Sequence, residues 1–185
     1  LVTAYQELAC QVQHIELTGE LRTALADELD LEQTLRRTLE FILNKVGPTN
    51  AVVFLPNSGG GFSVGGYVNY TNTKEAAPVM LEHLADALAP ALADEPGIVH
   101  FTEPEALEQW LGQPCGWLVG THLIGGPCLD TDGQPLAGLC LFRDDAEPFD
   151  DEATALLAAV CNRLASHLLK VIRIHHRHKG LFDDE

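Results

Sequence analysis

Positive charge is scarce in this chain. Eleven lysines and arginines stand against 27 acidic residues, a formal net charge of −16 over 185 residues. Such a surface repels a polyanion and has no counterion release to gain, which excludes direct contact with DNA or RNA. Long apolar runs are missing too: no uninterrupted run approaches the length of a bilayer span. Residues 1–10 lack the charged start and apolar middle of an export signal. No membrane partner is therefore expected. The five cysteines (Cys10, Cys115, Cys128, Cys140, Cys161) are odd in number and scattered, with no Cys-x-x-Cys pair. That spacing offers no disulfide framework or ready zinc site and suits a reducing, cytoplasmic setting.

What is present is an ordinary globular share of apolar residues, 46%, enough for one compact domain plus extra helices. Residues 1–29 read as helical. Leu1, Tyr5, Leu8, Val12 and Ile15 are spaced as a coiled-coil seam, which shifts at Gly19 and resumes out of phase at Leu21, Leu25 and Leu29. Asp30 is placed to cap a second helix, Leu31 to Val46, with Leu31, Leu35, Leu39, Ile42, Leu43 and Val46 on one face and Gly47-Pro48 as its stop. Residues 51–55 and 62–70 read as a pair of strands joined by a glycine-rich turn. A helix from Glu75 to Leu92 follows, slim with alanines, which Pro90 is expected to kink or shorten. Then come a short strand (97–101), a short helix (104–112) and two strands flanking the turn Asp130-Thr131-Asp132-Gly133. Last is a long helix opening at Phe149-Asp150-Asp151-Glu152 and running past Leu168 to the cluster His175-His176-Arg177-His178. The pattern predicts an α+β domain: an antiparallel sheet of about five to six strands, terminal helices on one face and the 75–92 helix on the other. The organisation expected is an N-terminal helix (1–29), a domain (30–170) and a helical extension (171–185).

This order of elements, with Gly138-Leu139-Cys140-Leu141 in the closing strand, Phe149-Asp150-Asp151-Glu152 at the helix opening and Leu156-Leu157-Ala158-Ala159-Val160 within the helix, resembles a GAF domain over about residues 30 to 170. The resemblance implies a GAF-like (profilin-like) fold. It also implies a small molecule held between the sheet and the elements over one face, and dimerisation through terminal helices that continue toward an output domain.

Individual chemistries thin out on inspection. The Asn-Lys pair of the cyclic-nucleotide-binding branch is absent, since Arg143-Asp144 follow the closing strand and Asn44-Lys45 lie on another helix. No cysteine stands beside a histidine as a covalent bilin requires. A related fold serves free methionine sulfoxide reductases. Cys115 and Cys128 are the thiols to consider for that role, but the Pro-Gly-His-Ile-Ala-Cys-Asp run of those enzymes is missing. His83, His100 and His122 are the histidines to consider for a pocket, where a single axial imidazole can hold haem, but the favoured reading of each is a hydrogen-bonded core or surface histidine. Asp130 and Asp132 imitate only part of a calcium loop, and Gly59-Gly60-Gly61 with Gly65-Gly66 lacks the Lys-Ser/Thr of a phosphate loop.

The expected function is that of a non-enzymatic sensor in signal transduction: a cytoplasmic homodimer binding a small molecule of unspecified identity and using no assigned cofactor or metal. The expected ligand-binding residues are Tyr67, Asn69, His83, His100, Trp117 and His122, polar or aromatic groups able to orient a ligand in an apolar cavity. The alternatives are a ligand-free dimerisation module and a thiol-based reductase.

Overall fold

The fold is given by a computed structural model that describes residues 2–70 and 74–183, without the side chains of residues 2, 3, 7, 10–15, 17, 18, 117 and 175–183. Ten elements follow one another: α1 (Val2–Leu25), α2 (Leu31–Val46), β1 (Asn50–Pro56), β2 (Phe62–Val68), α3 (Ala77–Ala93), β3 (Val99–Phe101), α4 (Pro104–Leu111), β4 (Thr121–Leu129), β5 (Pro135–Asp144) and α5 (Asp151–Asp183). The strands form one antiparallel sheet in the order β2-β1-β5-β4-β3.

Local chemistry explains the boundaries. The Asp30 carboxylate accepts the Gln33 amide at 2.9 Å and starts α2, and Gly47, with φ of 90°, ends it. Asp130 Oδ1 accepts the amides of Asp132 and Gln134, and Gly133 takes the positive φ that closes the β4–β5 turn. Asp150 does the same for α5 by accepting the Ala153 amide at 2.8 Å. Pro90 does not break α3. It lies in the last turn on the exposed side, where only one backbone hydrogen bond is forfeited, and the helix continues to Ala93. α1 stops at Leu25, short of the expected residue 29.

Both faces of the sheet are apolar, and helices cover both. Val52, Phe54, Leu123, Cys140 and Phe142 pack under Leu84, Leu88 and Leu92 of α3. Ala51, Val53, Ile124, Leu139 and Leu141 pack under α2 and α5, joined by Leu21 and Leu25 of α1. Of the seam expected along α1, Tyr5 and Leu8 are exposed, and the side chains of Leu1, Val12 and Ile15 lie outside the described residues. So do those of the 175–178 cluster.

Two polar joints hold the terminal helices together. At the C-terminal end of α1, where backbone carbonyls lose their helical partners, Arg37 donates to Ala24 O (2.9 Å) and Lys170 to Ala26 O (3.3 Å). Just beyond, His167 Nε2 lies 2.6 Å from Glu28 O, which makes the ring nitrogen the donor. The second joint is Arg143 at the end of β5. Its guanidinium donates to Glu147 O, Pro148 O and Val46 O and lies over the Phe149 ring, fixing the start of α5 against the end of α2.

α5 from Asp151 to Ile174 is long and apolar enough to cross a membrane by length and composition, but 56% of its most apolar stretch is buried within this fold. The sheet accounts for those apolar residues.

Burial pulls the His167 pKa below 6.5, assisted by the positive charges of Lys170 and Arg163 and opposed by the Glu28 carbonyl and carboxylate. A histidine depressed in the folded state contributes stability above its unfolded value, and loses it as pH falls through the folded one. The melting temperature is therefore expected to drop on acidification from about pH 7.5 to 5.5. His167→Gln, whose amide can still donate to Glu28 O, should flatten that slope in a circular-dichroism melt series. An unchanged slope would remove His167 from the account.

Candidate functional site

β2 lies at the edge of the sheet, so among the described residues no strand pairs with the outer side of its backbone. Its middle is Gly65-Gly66, where the ladder with β1 shifts register opposite Val53 and Phe54. A Cβ on Gly65 would lie 2.8 Å from Leu55 and 2.9 Å from Leu35, so only glycine lets α2 lean this closely over the edge. α3 approaches the same strand from the other face through Pro78, Leu81 and Glu82. Between the two helices a cleft of about 600 Å³ opens along β2. Leu35, Leu39, Val64, Val68 and Leu81 supply apolar wall. Glu32, Arg36, Glu40, Tyr67 and Glu82 supply polar and aromatic rim. Arg36 and Glu40 form an exposed i,i+4 pair at 3.4 Å.

Of the six residues expected to share a pocket, the five whose side chains are described are spread over separate parts of the fold. Tyr67, half exposed, lines the cleft, and Asn69 follows just past the end of β2. His83 is on the outer surface of α3, whose inner stripe is entirely leucine, alanine and methionine. His100 pairs with Ile124, so it belongs to the face covered by α5, the reverse of the α3 side. His122, two residues before Ile124, shares that face and pairs with Arg143. Its Nδ1 is enclosed without a hydrogen-bond partner among the described residues. Trp117 sits in a single 3-10 turn (Gly116–Leu118), and its side chain lies outside the described residues. The physical reason is strand alternation: register, which composition does not reveal, decides which parity faces which helix.

The alanine-rich α3 packs closely on the sheet. Leu84, Leu88 and Leu92 are at most 1% exposed, and Leu92 nests over Gly125, where a Cβ would lie 3.0 Å from its side chain. Of the cleft lining, sequence reasoning picked out Tyr67 and missed the rest, among them Glu32, Leu35, Arg36, Gly65, Gly66 and Glu82. Two adjacent glycines inside a strand pattern were the available signal, because they mark a bulge or a close approach.

Cys115 and Cys128 do not come together. Cys128 packs on the α5 face and Cys115 on the α3 face, with the sheet between them. The Cys128 thiol is pushed well up by a hydrogen bond to Cys161 and by burial. Burial likewise raises Cys140, and raises Cys115 against the lowering contact with the Leu118 backbone. Thiolate, the reactive form, is disfavoured in all three. Among the described residues no three metal-binding side chains cluster.

The sequence matches no protein-family profile and no curated protein. The fold does find counterparts. The GAF domain of an Acinetobacter phosphoenolpyruvate-protein phosphotransferase superposes with a TM-score of 0.66 at 12% identity, covering 88% of this chain and 96% of that one. The fold is that of a GAF domain. The GAF domain of a candidate sensor histidine kinase from Pseudomonas syringae pv. tomato matches with a TM-score of 0.61 and 17% identity over 98% and 99% of the two chains. The free methionine-R-sulfoxide reductase of Neisseria meningitidis, solved with its substrate, matches with a TM-score of 0.63 and 14% identity over 87% and 91%. This GAF fold thus sits among proteins of differing chemistry, and the site must carry the functional argument.

Two outcomes follow from the packing. Ala89→Leu adds bulk under α3 and should destabilise by about 1–3 kcal/mol in urea unfolding, whereas a hidden cavity would accept the side chain. In a Cys10→Ser background, the four remaining thiols should react far more slowly with a disulfide reagent at neutral pH than a free thiol does. They should react fully in denaturant, and one fast thiol in the native protein would reopen the reductase reading.

Proposed function

We propose that this GAF fold is the regulatory domain of a cytoplasmic signalling protein, a homodimer that senses a small molecule in the β2-edge cleft and relays the bound state through its terminal helices. The observation that carries the reading is the double duty of α2. One side of it, through Leu35, Arg36 and Leu39, is a wall of the cleft. The same helix reaches α1 through Arg37 and reaches the start of α5 through Val46 O and Arg143. A ligand that repositions α2 therefore acts on both helices that would join subunits. It can shift the equilibrium only as far as its affinity differs between the two arrangements. Exposed Tyr5 and Leu8 on α1 fit a helical contact between copies. The architecture is shared with domains of a phosphotransferase and a candidate sensor kinase, which supports a signalling role. Cys115 and Cys128, on opposite faces, speak against reductase chemistry.

The second reading is a ligand-free dimerisation module, favoured by the filled face under α3. A thermal-shift panel of nucleotides, amines and small metabolites, combined with light scattering, separates the two. A ligand selective for the native state must raise the melting temperature. Under the sensory reading it also alters subunit association, and Arg143→Lys, which loses the forked contact, keeps the thermal shift while blunting the association change. A flat panel with a stable dimer would establish the second reading instead, and lone subunits at high concentration would sink both.

A further inference from the structure

We infer that the β2-edge cleft takes an organic cation: an amine or guanidine on an apolar body about the size of a phenyl ring. This deepens the sensory reading, and rests on it for the identity of the site. The cleft volume, about 600 Å³, lies within the range of small-molecule sites. Its lining brings three carboxylates, Glu32, Glu40 and Glu82, against one guanidinium, Arg36. Arg36 is already paired with Glu40, which leaves the local balance to Glu32 on α2 and Glu82 on α3. Among the described residues neither of those two makes an ion pair. They flank the cleft from helices on opposite faces of the sheet. Tyr67 adds an aromatic face, a favourable neighbour for a desolvated cation. Leu35, Leu39 and Leu81 offer the apolar wall on which the body of such a ligand packs.

The charge of the whole molecule acts in the same direction. At −16 the protein raises the local concentration of cations and lowers that of phosphates and carboxylates. The shape of the edge favours a compact ligand over an added peptide strand. The Gly65 bulge breaks the regular spacing of β2, and helices lean in from both sides, an arrangement that guards an edge against strand addition. The outward backbone groups of β2 are left to orient a small polar head.

The test is a proton–nitrogen NMR titration of the full 185-residue chain at low salt, with phenethylamine, 2-phenylethanol and 3-phenylpropionate as probes of one shape and three charges. Phenethylamine should shift the amides of Gly65, Gly66 and Tyr67 saturably, the alcohol less, and the carboxylate least. The paired substitutions Glu32→Gln and Glu82→Gln alter exposed side chains, and an unchanged amide spectrum away from the cleft should show that the fold is kept. They should weaken the amine about three- to ten-fold, as expected for screened surface charges. The inference is overturned if the carboxylate binds as well as the amine, if the shifts gather elsewhere, or if the double substitution changes nothing. It is also overturned if a lysine–valine peptide binds markedly tighter and slows exchange of the β2 amides. Amine binding in the cleft without any change in subunit association would sink the sensory reading while this inference stands. A thermal-shift ligand whose footprint lies outside the cleft would do the reverse.

Discussion

A sheet of five strands with apolar side chains on both faces cannot rest against water on either. β1 shows the constraint most directly: Val52 and Phe54 point one way, Ala51 and Val53 the other, and all four are at most 1% exposed. Each face needs a helical cover, and each cover has a different character. On one side α3 lies on the sheet, with Leu92 nested over Gly125 of β4. On the other, three helices share the work, so their mutual contacts matter as much as their contact with the sheet. The need to bury both faces explains why the end of α1, α2 and much of α5 gather on one side of so small a sheet.

The three-helix side carries two polar joints built of side-chain donors aimed at backbone carbonyls. The end of α1 is held by Arg37 from α2 and by Lys170 and His167 from α5 or the turn they reach, all directed at backbone carbonyls. Arg143 binds the end of α2 and the loop ahead of α5 at once. Hydrogen bonds from cations to carbonyls are stronger than neutral ones and directional. They fix the relative placement of helices that leucine packing alone would let slide. α2 is the piece common to both joints, and it is also a wall of the β2-edge cleft. That coincidence links the cleft to the terminal helices.

Much of the fold could be read from residue order. Asp30 and Gly47 mark the limits of α2, the Asp130–Gly133 turn marks the hairpin, and the leucine periodicity of α5 predicts its length, because caps, turns and periodicity are local properties. The layered arrangement also followed from the count and order of elements. The candidate site did not. Tyr67, Asn69, His83, His100, Trp117 and His122 were chosen by residue type, and among those whose side chains are described Tyr67 alone lines the cleft. His100 and His122 are placed by pairing with Ile124 and Arg143, partners distant in the chain. Gly65-Gly66 was legible as an oddity within a strand, yet its consequence depends on where Leu35 lands.

The amino-acid order by itself determined the acidic surface, the ten elements' approximate places, the caps, and the two-faced apolar pattern that demands helices on both sides, since these follow from near neighbours and composition. Only the tertiary structure decided which face His100 and His122 join, that α3 packs closely on the sheet, that Cys115 and Cys128 lie apart, and that a cleft opens where α2 and α3 lean over β2. Those outcomes depend on strand register and on helix placement across the sheet, which long-range packing sets and no short stretch of chain encodes.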